Sequence, residues 1–210
     1  MKVFKPIVIL IFILITSCNA DNKRYNTMYH YQLKFFKKEF VSHMDIATNP
    51  SFSYSISKSG EYNVTGIILT DKNDYKTYKN IYDTIAKVAI ASYLPTDSCL
   101  LVINTFTTQK NLTHKKRKAN SLELELLERD CLRDKLPIPN FYDFDAEVKT
   151  RCKLSEDYEL YVLEAKKGIY WDEKYLTDGR YMPTEWKHGY SKGVAFNKVN
   201  YNIIYWFEIW

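Results

Sequence analysis

The last ten residues of the chain constrain its fold more than any other segment. In residues 201–209 the odd positions are Tyr, Ile, Tyr, Phe and Ile, and the even positions include Ile204 and Trp206. Successive side chains of a β-strand point to opposite faces of a sheet, so a strand that is apolar on both faces must be covered on both. The sequence therefore predicts that this strand lies inside a sheet or beneath a helix.

Apolar residues spaced three to four apart predict helices at 25–44 and 75–93. Asn49-Pro50 ends the first helix, and Leu94-Pro95 ends the second because proline lacks the amide that would continue it. The polar residues 71–74 can cap the start of the second helix.

Alternating apolar residues predict a mostly antiparallel sheet, in which residues 52–56 and 62–70 form one hairpin and residues 190–196 and 201–209 form another. A further strand is predicted at 158–165. We therefore expect an α+β fold, a single domain over 25–210 with two or three helices packed on the sheet.

Two central segments are also predicted to be regular. The run Leu100-Leu101-Val102-Ile103 predicts a strand over 99–107 that is buried on both faces, and the preceding helix permits a right-handed parallel crossover to it. Asn120 and Glu123 have the spacing of a capping box and favour a helix there, although 122–126 also alternates like a strand.

The first eighteen residues have the order of a secretory signal peptide. Lys2 and Lys5 precede an apolar run over 7–15, and Thr16, Ser17 and Cys18 follow it. A helix needs roughly 20 apolar residues to cross the hydrocarbon core, so this shorter run favours a cleaved signal over a permanent anchor.

Ile15-Thr16-Ser17-Cys18 resembles the lipobox of bacterial lipoproteins. The resemblance implies that residues 1–17 are removed, that Cys18 carries acyl chains such as palmitate, and that 18–24 form a tether to the lipid bilayer. Asn19 stands where many inner-membrane lipoproteins have aspartate, which implies an outer-membrane destination in the cell envelope. The alternative is ordinary cleavage after Cys18-Asn19-Ala20.

The charge of the chain gives no reason to expect nucleic acid as a partner. Removal of residues 1–17 takes away Lys2 and Lys5 and lowers the formal net charge from +5 to about +3. The local basic run at 114–118 is predicted to be a solvated loop. The spacing of Cys and His residues matches no zinc or redox motif, so we expect no metal and no cofactor.

Three cysteines follow Cys18, and an exported chain can form disulfides. Cys131 and Cys152 lie in polar stretches, whereas Cys99 shares a predicted strand face with Leu101 and Ile103. The expected bridge is therefore Cys131–Cys152, and the alternative is that all three thiols are free.

The loop at 170–190 contains the best candidates for a binding site. These aromatic, charged and histidine side chains are Trp171, Asp172, Tyr175, Arg180, Tyr181, Trp186, His188 and Tyr190. Flat aromatic faces beside carboxylates and an arginine suit a protein, peptide or glycan partner. The alternative is that these aromatic residues complete the core.

A hydrolase is the alternative to a binding domain. Glu164-Ala165-Lys166, with Asp143 or Asp145 upstream, resembles the D…(D/E)xK pattern of a nuclease superfamily, which implies two carboxylates on a divalent metal and a lysine beside the attacking water. His188 near Asp172 could also act as an acid or base. The sequence favours the non-catalytic function: an envelope lipoprotein with a binding domain, of which an immunity-like role is one form.

Overall fold

The computed structural model divides the chain into two compact units, Met1–Glu39 and Phe40–Trp210. The predicted signal peptide, Cys18 and the tether lie outside the described residues. No helix within the described ranges is long and apolar enough to cross a membrane. The structure describes residues 36–56, 65–103, 107–110, 113–116, 121, 129–141, 148, 150–173, 176, 178–179 and 182–210.

The second unit contains an antiparallel sheet of six strands among the residues described, which confirms the α+β fold. Its order is β1-β2-β8-β7-β6-β3, and β4 and β5 pair with each other in a separate two-stranded sheet. The strands are β1 (Pro50–Ile56), β2 (Thr65–Lys72), β3 (Ala91–Tyr93), β4 (Thr107–Lys110), β5 (Thr113–Lys116), β6 (Tyr158–Lys167), β7 (Gly189–Asn197) and β8 (Asn202–Ile209). The helices are α1 (Lys38–Val41) and α2 (Tyr75–Val88), and short 3-10 turns lie at Ser42–Met44, Asp130–Leu132 and Thr184–Trp186.

β8 lies between β2 and β7 and is covered on both faces, as predicted. On one face Phe207 stacks on Phe40 of α1, with ring centroids 4.9 Å apart. On the other face Trp206 meets Phe141 edge to face at 5.6 Å. Residues 203–210 are all buried, so this strand is the centre of the core.

α2 begins where the sequence predicts and ends earlier. The Asp74 carboxylate accepts a hydrogen bond from the Thr77 amide at 2.9 Å and caps the helix. Ala89 is extended, and the Ile90 amide donates to the Val162 carbonyl at 2.9 Å. The prediction of helix through residue 93 is wrong because the main chain there pairs with β6 as an edge strand.

The segment at 99–103 covers a sheet face without forming a regular strand. Its pairing is a single parallel bridge between Val102 and Ile138. Leu100 and Val102 pack with Trp206, while Leu101 and Ile103 pack with Trp210. The predicted burial is correct, but the predicted strand and parallel crossover are wrong for the described residues, because this segment packs over the sheet instead of joining it.

The other predictions have mixed outcomes. Both predicted hairpins and the strand near 158–165 are confirmed. Of the helix predicted at 25–44, the described part is α1 and the Ser42–Met44 turn. The basic run was predicted to be a loop, but residues 113–116 form β5, and the capping-box segment at 122–128 lies outside the described residues.

Gly193 should be intolerant of a side chain. It pairs with Trp206 across β7 and β8, and a Cβ at this position would collide with the indole ring and with the Tyr161 carbonyl. We expect Gly193→Ala to lower the free energy of unfolding by about 2–3 kcal/mol through overpacking, measured by urea denaturation. Ser92→Ala, at the exposed position of β3, is the control and should change the free energy of unfolding by less than about 0.5 kcal/mol. Equal stabilities of the Gly193 variant and the parent would contradict this packing.

Candidate functional site

A cleft of about 710 Å³ opens where three segments outside the sheet meet. Its walls are residues 95–98 after β3, Arg129 just before the Asp130–Leu132 turn, and residues from 148–156. The volume is within the range of small-molecule sites, roughly 300–1,000 Å³. None of the side chains in these walls was a candidate in the sequence analysis.

A disulfide joins two of the three walls. Cys99 and Cys131 are bridged, with their Cα atoms 5.7 Å apart. Cys99 follows Ser98 of the first wall, and Cys131 lies two residues after Arg129 of the second. Cys152 is a buried free thiol beside Arg151 of the third wall. The predicted Cys131–Cys152 bridge is therefore wrong.

The physical reason for this pairing is the direction of the local backbone. The Cys152 carbonyl accepts a hydrogen bond from the Phe141 amide at 2.9 Å, and the thiol packs in the cluster that contains Trp206. By contrast, the Cys99 amide donates to the Asp97 carboxylate at 2.7 Å in a turn at the surface. Cys99 is partly exposed and Cys131 is exposed, whereas Cys152 is buried. The sequence predicted the opposite for Cys99 and Cys152, with Cys99 buried in a strand and Cys152 near the surface.

Asp97 organises the first wall. Its carboxylate forms an ion pair with Lys135 at 2.9 Å, and the Lys135 ammonium lies 4.9 Å from the centre of the Tyr93 ring. Partial burial raises the pKa of Asp97, but the hydrogen bonds from Lys135 and the Cys99 amide outweigh it and lower that pKa. Asp97 is therefore a charged group that is already neutralised by Lys135.

Neither arginine of the cleft has an ion-pair partner among the described residues. The Arg151 guanidinium donates from Nη1 to the Ser98 carbonyl at 2.9 Å, which ties the third wall to the first. Burial lowers the pKa of Arg151, and the positive charge of Arg129 lowers it further, whereas Asp97 partly offsets this effect. Two like charges therefore act on each other within one cleft.

The third wall also contains hydroxyl groups that are already engaged. Thr150 donates to the Leu154 carbonyl at 2.6 Å, and Ser155 donates to the Asp157 carboxylate at 3.3 Å. These bonds fix the backbone around Arg151 instead of activating either hydroxyl as a nucleophile. The arrangement is suited to holding a ligand between charged and polar groups.

The aromatic loop predicted as the binding site contributes two of its residues to the core. Trp186 and Tyr190 are each 3% exposed. The Trp210 indole nitrogen donates to the Trp186 carbonyl at 2.9 Å, and Tyr190 meets Phe40 at 5.0 Å. The alternative interpretation, that the aromatic residues of this loop complete the core, is therefore correct for Trp186 and Tyr190.

The remaining loop candidates are only partly described. Trp171 is half-buried and Asp172 is exposed. The half-buried His188 faces the Asp178 carboxylate at 3.1 Å and the Trp210 carbonyl at 3.3 Å. The structure therefore does not bring the described candidates together as one open aromatic surface, and Tyr175, Arg180 and Tyr181 lie outside the described residues.

Glu164 and Lys166 are together, as the nuclease-like pattern requires, but within an ion-pair cluster. Glu164 contacts Lys166 at 2.6 Å and Lys192 at 2.8 Å. Partial burial raises the pKa of Glu164, but its hydrogen bonds to Lys166, Lys192 and Tyr190 outweigh it and lower that pKa to about 2. The residues described contain no group of three His, Cys, Asp or Glu placed to hold a metal ion, and Asp143 and Asp145 lie outside them.

The chain was compared with protein-family models, curated proteins and solved structures. No family model, no curated protein and no solved structure matched the chain. The functional conclusions therefore depend on the residues of this chain alone.

The Glu164 cluster should stabilise the fold in a pH-dependent way. The pKa of Glu164 is lower in the folded state than the value of 4.5 in the unfolded state, so its carboxylate stabilises the fold. This stabilisation is fully present above pH 4.5 and is lost as the pH falls through about 2. We expect Glu164→Gln to lower the free energy of unfolding by about 1 kcal/mol near neutral pH, because solvent screens such pairs. Urea titrations at a series of pH values should show the difference shrinking with acid.

The exposed Glu185→Gln serves as the matched control and should differ little from the parent at any pH. If the free energies of unfolding of Glu164→Gln and the parent differed by the same amount down to strongly acidic pH, the ion pairs would not be the cause of the lower stability.

The disulfide should contribute strongly to stability. It closes a loop with a sequence separation of 32 residues. In the chain-entropy model we expect Cys99→Ser/Cys131→Ser to lower the free energy of unfolding by about 3–4 kcal/mol, measured by urea denaturation under oxidising conditions. Cys152→Ala should retain the bridge. Peptide mapping without reductant checks the pairing, and a linked peptide that contains Cys152 would contradict it.

Proposed function

We propose that the chain is a bacterial lipoprotein, anchored in the cell envelope through acyl chains on Cys18, with a non-catalytic binding domain. The sequence at 15–18 supports the anchor, and Asn19 favours the outer membrane. Each buried acyl CH₂ contributes about 0.8 kcal/mol, so two or three chains would hold the protein at the bilayer. The partner of the binding domain is a protein, peptide or glycan component, and an immunity-like role is one form of this function.

The cleft lined by residues 95–98, Arg129 and residues from 148–156 is the observation that most supports binding. Its walls are irregular segments fixed to a rigid sheet, which is where binding residues are commonly placed. The disulfide and the buried Cys152 hold these walls in position, and the guanidinium groups of Arg129 and Arg151 are available to a ligand. We therefore place the proposed site at the cleft instead of the aromatic loop, because Trp186 and Tyr190 are buried.

The hydrolase alternative has no specific support from the described side chains. The Glu164 carboxylate is satisfied by two lysines, and His188 lies between a carboxylate and a main-chain carbonyl. Both groups have structural partners that account for their positions.

The anchor can be tested by labelling. In a bacterial host that processes lipoproteins, the parent chain should incorporate radiolabelled palmitate and separate with the membrane fraction. Cys18→Ser should lose the label, because its hydroxyl cannot form the thioether. The control variant Cys152→Ala retains Cys18 and should be labelled like the parent. Equal labelling of Cys18→Ser, or an unlabelled parent in the cytosol, would rule out the lipoprotein assignment.

A further inference from the structure

The charges in the cleft are unbalanced. Arg129 and Arg151 both line it, while the carboxylate of Asp97 is neutralised by Lys135. Glu156 also lines the cleft, and like Arg129 it is exposed. With the Asp97–Lys135 pair set aside, two arginines face one glutamate, so the cleft keeps an excess of positive charge, and no ion pair to either arginine is found among the described residues.

The Arg151 side chain and the segment that carries Arg129 are fixed by interactions within the protein. Arg151 is fixed by its 2.9 Å hydrogen bond to the Ser98 carbonyl and by the neighbouring Cys152, which is fully buried. Arg129 is two residues from the disulfide that holds its segment against the first wall. A preformed site loses little conformational entropy when a ligand binds.

Bringing two like charges into one cleft is unfavourable. The lowered pKa of Arg151, caused by burial and by Arg129, reflects this cost. An anion between the two guanidinium groups would remove the repulsion and form charge-assisted hydrogen bonds to both. Arginine suits this role because its planar fork matches the oxygen atoms of a carboxylate or a phosphate.

The size of the cleft indicates what carries the anionic group. At about 710 Å³ it is much larger than a single small ion needs. The neighbouring hydroxyl groups of Thr96 and Ser98 can hydrogen bond to polar groups beside the anion. These features fit a polar organic molecule that ends in an oxyanion.

We propose that this cleft binds the oxyanion group of a small organic ligand, a carboxylate or a phosphate, between Arg129 and Arg151. This inference rests on the proposed binding function, and for the cleft it names a small anionic ligand in addition to the protein, peptide or glycan partner proposed above. The anion would supply a countercharge to the two arginines. The disulfide joins the Arg129 wall to the first wall, and the hydrogen bond from Arg151 to the Ser98 carbonyl joins the third wall to it.

The test is titration of the purified full chain in detergent with sodium phosphate or sodium acetate, at constant ionic strength maintained with sodium chloride. Calorimetry measures the affinity, and the melting temperature measures stabilisation. We expect one or both anions to bind and to raise the melting temperature. Phosphate alone would indicate a phosphorylated ligand, acetate alone a carboxylate ligand, and either result supports the proposal.

Arginine variants separate this site from general electrostatic attraction. We expect Arg129→Gln and Arg151→Gln each to weaken anion binding by about tenfold or more, because each removes charge-assisted hydrogen bonds. The control variant Arg133→Gln changes an exposed arginine that pairs with Asp130 at 3.0 Å, and it should bind like the parent. Arg129→Gln keeps the test valid if loss of the Arg151–Ser98 bond disturbs the fold.

Three results would overturn the proposal. These are no binding of either anion above the chloride background, unchanged binding in Arg129→Gln, or an equal loss in Arg133→Gln. A different result separates this inference from the proposed binding function. If neither anion binds, but an envelope extract that contains only uncharged compounds raises the melting temperature of the parent and not of Arg129→Gln, the oxyanion proposal is wrong. The proposed binding function is then still supported.

Discussion

Burial of β8 on both faces is the constraint on which the rest of the structure depends. One face is covered by α1 through Phe40, and the other by irregular segments that include Phe141. Regular helices could have covered the second face, but Leu100, Val102 and Cys152 do so from extended and turning backbone. Because such backbone must turn back at the surface, the cover itself forms the walls of a cleft.

The parts of the fold that were predictable have strong local patterns. The strand at 201–209 and the helix start at Asp74 could both be predicted, because each depends on residues that are neighbours in the sequence. β3 was missed because Ala91–Tyr93 continues a helical pattern, while its strand state depends on the distant edge of β6. The disulfide was misassigned because the polar neighbours of Cys152 do not show that its own side chain points into the core.

The candidate cleft was not predictable for a related reason. Arg129 and Arg151 are single charged residues in irregular segments, and only tertiary packing brings them to one cavity. The positions of Cys131 and Cys152 beside them were the available signal. Glu164 and Lys166 illustrate the opposite case, because residues two apart on a strand share a face and readily pair. Such a pair can resemble a catalytic pattern while it stabilises the end of a strand.

The bridge between Cys99 and Cys131 also has a consequence for when the cleft can mature. The two cysteines are far apart in sequence, so the covalent tie between the Arg129 segment and its neighbouring wall forms only when the thiols are oxidised. Reducing conditions inside the cell oppose that step, and oxidising compartments outside it allow it. If the chain is exported as proposed, this covalent tie between two walls of the cleft would form only after translocation.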